Sequence, residues 1–116
     1  MTKLETDNKL EIVRDAAIDR KAENVEVLDL RNKSLIADYF VVASGTSGVH
    51  IRSIVDGVLE NMKKHKVRAD RIEGYSEGRW VLVDYGDVVL HVFAPEEREF
   101  YDLEALWRAT SAAREA

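Results

Sequence analysis

Apolar positions change period several times along the chain, and each change marks an element. From Asp7, the residues Leu10, Val13, Ala16 and Ala17 recur at helical spacing and predict a first helix to about Ala22. "VEVLDL" (25–30) alternates and predicts a strand. "YFVVASG" (39–45) is a continuous apolar run closed by glycine, the pattern of a strand buried on both faces. After "TSG", the residues Ile51, Ile54, Val55, Val58, Leu59 and Met62 form one stripe of a helix to about Lys66. Arg52/Asp56 and Glu60/Lys64 are spaced as i,i+4 charge pairs on its outer side. A short strand is expected near Arg71–Glu73. "RWVLVD" (79–84) and "DVVLHVFA" (87–94) then flank Tyr85-Gly86, read as a tight two-residue hairpin loop. Pro95 ends the last strand and suits the first turn of a closing helix. The order αββαβββα predicts an α/β fold, helices packed on a mixed β-sheet. With 116 residues and no repeat or linker, one domain is expected over 9–107, between a flexible N-terminus (1–8) and a polar tail (108–116).

The hairpin has two unlike faces. A loop at Tyr85-Gly86 pairs residues 83/88, 82/89, 81/90 and 80/91. Val81, Val83, Val88 and Leu90 then share a uniformly aliphatic face, which should meet the helices. Trp80, Leu82, Val89 and His91 share the other, whose mixture of indole, imidazole and aliphatic groups resembles the centre of a protein interface. The competing reading is that the C-terminal helix covers this second face.

Charge narrows the partner. Residues 1–70 balance twelve Lys/Arg against twelve Asp/Glu, so the net −5 resides in residues 71–116, with five bases against ten acids. An acidic, aromatic-rich second half is poorly suited to displacing counterions from phosphates, so little direct nucleic-acid binding is expected; a basic protein surface is the better match. A solvated acidic face is the plainer alternative. No apolar run is long enough to span a bilayer, and Met1–Asn8 is polar, so neither a membrane anchor nor a secretory signal is read. Cysteine is absent, which excludes disulfides and fits a cytoplasmic setting.

Three places have the raw materials of chemistry. "SGTSGVH" (44–50) puts glycines at a strand-to-helix turn, where free N–H groups can hold an anion, but no Gly-Lys-Ser/Thr follows at P-loop spacing. A helix cap by Ser47 or Thr46, with Gly45 easing the bend, accounts for the same residues. Asp84 and Asp87 bracket the hairpin turn and would face each other across it, yet no Asp-x-Asp pair lies on a buried strand nearby. His50, His65 and His91 show no ligand spacing and no paired nucleophile; His65 reads as an exposed helix-end residue. These signals predict no catalytic, cofactor or metal residues. The alternative is a Mg-dependent nucleotidyltransferase using the Ser44–Gly48 turn for triphosphate and Asp84 or Asp87 for the metal.

"ADYFVVASGTS" (37–47), "EGY" (73–75) and "RWVLVDYGDVVLHVFAPEEREFYDLEALW" (79–107) resemble the RsfS, or Iojap, family of ribosomal silencing factors, and the likeness runs from about Leu10 to Trp107. The resemblance implies a nucleotidyltransferase-like α/β fold without a catalytic role. It implies binding to the large ribosomal subunit through ribosomal protein L-fourteen, at the face where the small subunit docks. Joining would then be blocked and translation repressed under nutrient limitation; homodimers are implied as well. Trp80 matches the family's partner-contact tryptophan, and Tyr85, His91 and Tyr101 match motif positions nearby. With Leu82, these form the expected partner-binding set. In the closing helix, Phe100, Leu103, Leu106 and Trp107 should seal the sheet, leaving Tyr101, Glu97, Glu99 and Asp102 beside or outside that stripe.

Overall fold

In a computed structural model of the protein, which describes residues 5–105, the elements follow the predicted order. Helix α1 spans Thr6–Asp19, strand β1 Glu23–Asp29, strand β2 Tyr39–Ser44 and helix α2 Gly48–Lys64. Strands β3, β4 and β5 span Arg71–Glu73, Trp80–Asp84 and Val88–Phe93, and helix α3 spans Pro95–Tyr101. The five strands form one sheet in the order β1-β2-β5-β4-β3, with β2 parallel to β5 and every other neighbouring pair antiparallel. A mixed sheet follows from the connections: short loops reverse the chain, whereas the parallel β2–β5 pair needs a long crossover, which includes α2.

Burial tracks the hydrophobic pattern. The central strand β5 is buried at every position, and β2 at every position but Phe40, as the continuous apolar runs require. Helices α1 and α2 pack on one face of the sheet. There Val13, Ala16 and Ala17 of α1 and Ile51, Ile54, Val55, Val58 and Met62 of α2 meet Val41, Val81, Val83, Val88, Leu90 and Val92. The face expected to be aliphatic is therefore the helix-covered one. Burying each valine, leucine, isoleucine or methionine side chain of this set contributes about 1.5–3 kcal/mol, an upper figure because the unfolded chain already hides some of its surface.

Helix α2 begins as the sequence suggests. Ser47 is the N-cap, its Oγ accepting from His50 N–H at 3.1 Å. Gly45 is required by packing, not by bending: a Cβ there would lie 2.6 Å from Ile51 Cγ1. The expected i,i+4 charge pairs of α2 are replaced by tertiary ones. Arg52 donates to Ser76 O, Asp56 accepts from the Tyr75 hydroxyl at 2.8 Å, and Glu60 pairs with Arg20 at 3.0 Å. Partners from other elements hold these groups in fixed geometry, which a flexible pair on one solvated helix face does not match.

The β4–β5 hairpin departs from the tight-turn expectation. Its register pairs Asp84 with Val89, Leu82 with His91 and Trp80 with Phe93, so residues 85–87 join the strands and every pairing moves by two. Asp84 causes the change. Its Oδ1 accepts from Gly86 N–H at 2.7 Å while Gly86 adopts φ +87°, and Tyr85 N–H donates to Val88 O. A shift of two preserves which face each side chain takes, so the two-faced reading of the hairpin survives. Asp87 does not face Asp84. Its backbone carbonyl accepts from Asp38 and Tyr39 N–H, and its carboxylate meets the start of α1, accepting from Thr6 Oγ1 and from Lys9 Nζ at 3.0 Å.

Candidate partner-binding face

The sheet's second face lies away from α1 and α2. Leu28, Leu30, Ala37, Val42, Val89 and Phe93 form its buried floor, and Phe40, Trp80, Leu82 and Leu103 are half-buried above them. Antiparallel pairing of β4 with β5 and parallel pairing of β2 with β5 bring Trp80, Leu82, His91 and Phe93 into register with Phe40 and Val42. Phe40 and Phe93 were not among the expected site residues. Strand alternation could have found them, since Phe93 is two residues beyond His91 and Phe40 alternates with the core residue Val41.

The aromatic groups touch one another. Trp80 stacks on Phe93 with centroids 4.9 Å apart, and the Phe40 ring meets His91 edge-on at 4.6 Å. Tyr101, at the end of α3, lies over Trp80 at 4.6 Å while remaining 48% exposed. The indole Nε1–H of Trp80 donates to His91 Nδ1 at 3.1 Å. That bond assigns the imidazole proton to Nε2, which is buried without a partner. Burial of His91 pushes its pKa down to about 4, so the ring is neutral at physiological pH. Because the indole N–H is used internally, the half-buried Trp80 shows ring surface and no free donor.

Helix α3 ends earlier than the sealing stripe expected. Asp102 takes a left-handed conformation (φ +43°), stopping α3 at Tyr101, and its Oδ1 accepts from Ala105 N–H at 3.1 Å. This break sends Phe100 into solvent, 81% exposed, and turns Tyr101 onto Trp80, the reverse of the expected roles; Leu103 packs on the aromatic face as expected. Leu106 and Trp107 lie outside the described residues. The corner is locked by Arg98, which donates to Ser44 Oγ at 2.9 Å and pairs with Glu104 at 3.0 Å, both charged side chains being largely buried. Glu97 is half-buried, its carboxylate 3.7 Å from Arg79, while Glu99 and Asp102 are exposed.

Of the five expected partner residues, Trp80, Leu82, His91 and Tyr101 come together and Tyr85 does not. Tyr85 is turned toward α1 and α2, buried in the larger core with its hydroxyl unpartnered. Burial pushes its pKa up to about 12. The shifted register accounts for this placement, since Tyr85 lies opposite Val88 at the base of the turn, its N–H donating to Val88 O, and not at the tip.

The other chemical candidates are engaged structurally. Burial would raise the Asp87 carboxyl, but the hydrogen bonds from Thr6 and Lys9 outweigh it and hold the pKa below the ordinary carboxylate value. Asp84 Oδ1 is taken up by the turn, and its other oxygen is 3.8 Å from Arg71. At the Ser44–Gly48 turn, Thr46 N–H donates to His50 Nδ1 at 2.9 Å, and His50 Nε2 is 2.9 Å from Arg20 O. That histidine fastens the turn to the end of α1. Exposed His65 caps the far end of α2, as read. Among the described residues, no group of three or more His, Asp or Glu side chains could hold a metal ion.

Relatives share this fold. The family model described as "Ribosomal silencing factor during starvation" matches residues 3–116. The ribosomal silencing factor RsfS of Bacillus subtilis is 41% identical over 98 residues, covering 84% of this chain and 83% of that protein. A mouse protein named mitochondrial assembly of ribosomal large subunit protein 1 is 38% identical over 93 residues, 78% of this chain but 41% of its own length. A crystal structure of a Chromobacterium violaceum protein, 34% identical, superposes with a TM-score of 0.87 and covers 90% of this chain and 87% of that one. A match over nearly the full chain, on the same mixed sheet and helices, makes this protein a member of the RsfS family of ribosomal silencing factors.

Proposed function

We propose that the protein silences the large ribosomal subunit sterically and without catalysis. Its aromatic sheet face, centred on Trp80 with Leu82, His91 and Tyr101, docks on ribosomal protein L-fourteen in the cytoplasm. The bound protein then occupies the surface where the small subunit would join, and translation falls when nutrients are short. The observation that carries this reading is an aromatic cluster on the sheet face away from α1 and α2, where Phe40, Trp80 and Leu82 stay half-buried and Tyr101 48% exposed, with only Tyr101 and Leu103 of the described C-terminal residues lying against it. Such clusters, rimmed by polar groups, are what protein interfaces bury at their centres. The acids Glu96, Glu99 and Asp102 rim the α3 end and suit a basic partner. The names of the relatives, one a silencing factor and one a large-subunit assembly protein, support a ribosomal partner.

The test is co-sedimentation with purified large subunits, followed by light scattering of subunits mixed with excess protein. Wild type should bind and reduce joining. Trp80→Ala should bind roughly 30- to 1,000-fold more weakly, since truncating a central interface tryptophan commonly costs about 2–4 kcal/mol. Folding of the variant is checked by denaturant unfolding. Normal joining at saturating wild-type protein refutes the silencing reading, and a folded Trp80→Ala protein that binds normally removes Trp80 from the interface.

A further inference from the structure

At its far end, helix α2 runs into "KKHKVR" (63–68), four bases and a histidine without an acid, in a chain whose net charge is −5. Lys63, Lys64, Lys66 and Arg68 are all exposed, and none is ion-paired among the described residues. The backbone gathers them. Val67 N–H returns to Met62 O and Lys66 N–H to Lys63 O, folding the chain back on the last turn of α2. Among the described residues, Lys63, Lys66 and Arg68 consequently line one surface recess, with no described carboxylate in its wall.

The helix dipole explains only part of this. Cations in the last turn of a helix offset its negative end, which accounts for Lys63 and Lys64. Lys66 and Arg68 lie past the helix. Lys66 also sits at φ +62°, the left-handed position after a helix where glycine is the usual and less strained residue.

We infer that the recess formed by Lys63, Lys66 and Arg68 binds the sugar–phosphate backbone of RNA, independently of the aromatic face. Three cations around one concavity match successive phosphates, and among the described residues no aromatic ring lines the recess to stack or read a base, so binding is insensitive to sequence. A lipid surface fits less well: it favours apolar side chains beside the bases, and Val67, the apolar residue of the run, is half-buried against the core. Beyond His65 the groove between α1 and α2 is lined by Glu11, Asp15 and Asp19. Those acids bound the basic patch on that side, which makes the contact weak, local and strongly salt-dependent. The overall charge argued against nucleic acid, and the recess is the exception to that argument.

Fluorescence anisotropy with a labelled RNA duplex of about 16 base pairs, long enough to span successive grooves, tests the assignment. Wild type should bind at low salt, with affinity falling about 40-fold between 50 and 200 mM salt if three phosphates are engaged. Lys63→Gln/Lys66→Gln/Arg68→Gln should bind at least about tenfold more weakly with a flattened salt dependence. Lys66→Gly should bind RNA more weakly while melting about 4 °C higher, because it relieves the left-handed lysine. That variant keeps the test valid should the triple variant fold poorly. Absence of wild-type binding at low salt, equal binding by the variants, a lowered melting point for Lys66→Gly, or preference for anionic phospholipid vesicles over the duplex overturns the inference. None of these readouts involves the ribosome, so they stand or fall apart from the silencing function.

Discussion

Replacing Trp80 by Phe keeps a ring at the centre of the aromatic face but removes the indole N–H. His91 Nδ1, which accepts that proton at 3.1 Å, is then a buried acceptor without a partner. An orphaned buried polar atom costs about 1–3 kcal/mol, and the smaller ring forfeits some contact with Phe93 and Tyr101, so Trp80→Phe should lose about 2–3 kcal/mol. His91→Leu should be far milder, within about 1 kcal/mol of wild type. It removes the imidazole together with its unpartnered Nε2, and the half-buried indole can turn its N–H to water. In the double variant the orphan no longer exists. The two changes should therefore couple by about 1–2 kcal/mol, the double variant being more stable than the sum of the single losses allows. Urea unfolding of all four proteins measures this cycle, and nitrogen chemical shifts of His91 report whether Nε2 carries the proton. Additivity within about 0.3 kcal/mol, or a proton on Nδ1, would show that the indole–imidazole bond does not organise this face.

His91 should also make the fold acid-sensitive. Its folded pKa is pushed down to about 4 from an ordinary 6.5, so the unfolded chain binds a proton that the native one refuses. Stability is fully present above about pH 6.5 and is lost by up to about 3 kcal/mol as pH falls to about 4, a slope that His91→Leu should abolish in urea titrations. Asp87 acts in a lower window. Its depressed pKa holds stability above the ordinary carboxylate value, lost as pH falls below it, and Asp87→Asn should cost about 2 kcal/mol by weakening the partner of buried Lys9. Because neither acid serves the proposed function, Asp84→Asn and Asp87→Asn should leave large-subunit binding by folded protein within about tenfold; Mg-dependent nucleotide transfer lost in either variant would overturn that. Arg98→Ala should cost about 3 kcal/mol, since it strands Glu104 in a largely buried site, and should loosen Tyr101 from Trp80, visible as a change in tryptophan fluorescence.

The helices, the strands and the two faces of the hairpin were legible because each rests on a period that side chains must obey. A strand's alternation is so rigid that even a two-residue error in the β4–β5 register left every side chain on the face assigned to it. What remained hidden depended on single polar atoms reaching across the fold. Asp84 looked like half of an acid pair, yet its carboxylate set the loop length by taking Gly86 N–H; Asp87, the other half, was claimed by Thr6 and Lys9 some eighty residues earlier in the chain. Those two engagements moved Tyr85 from an exposed turn tip into the core and thus out of the partner set. The same cause operates at α3: spacing alone continued the helix through Leu103, whereas a left-handed Asp102, fixed by its bond to Ala105, ended it and exchanged the roles of Phe100 and Tyr101. Apolar periodicity therefore located the aromatic face, and the polar anchors at its two ends decided which aromatic rings it displays.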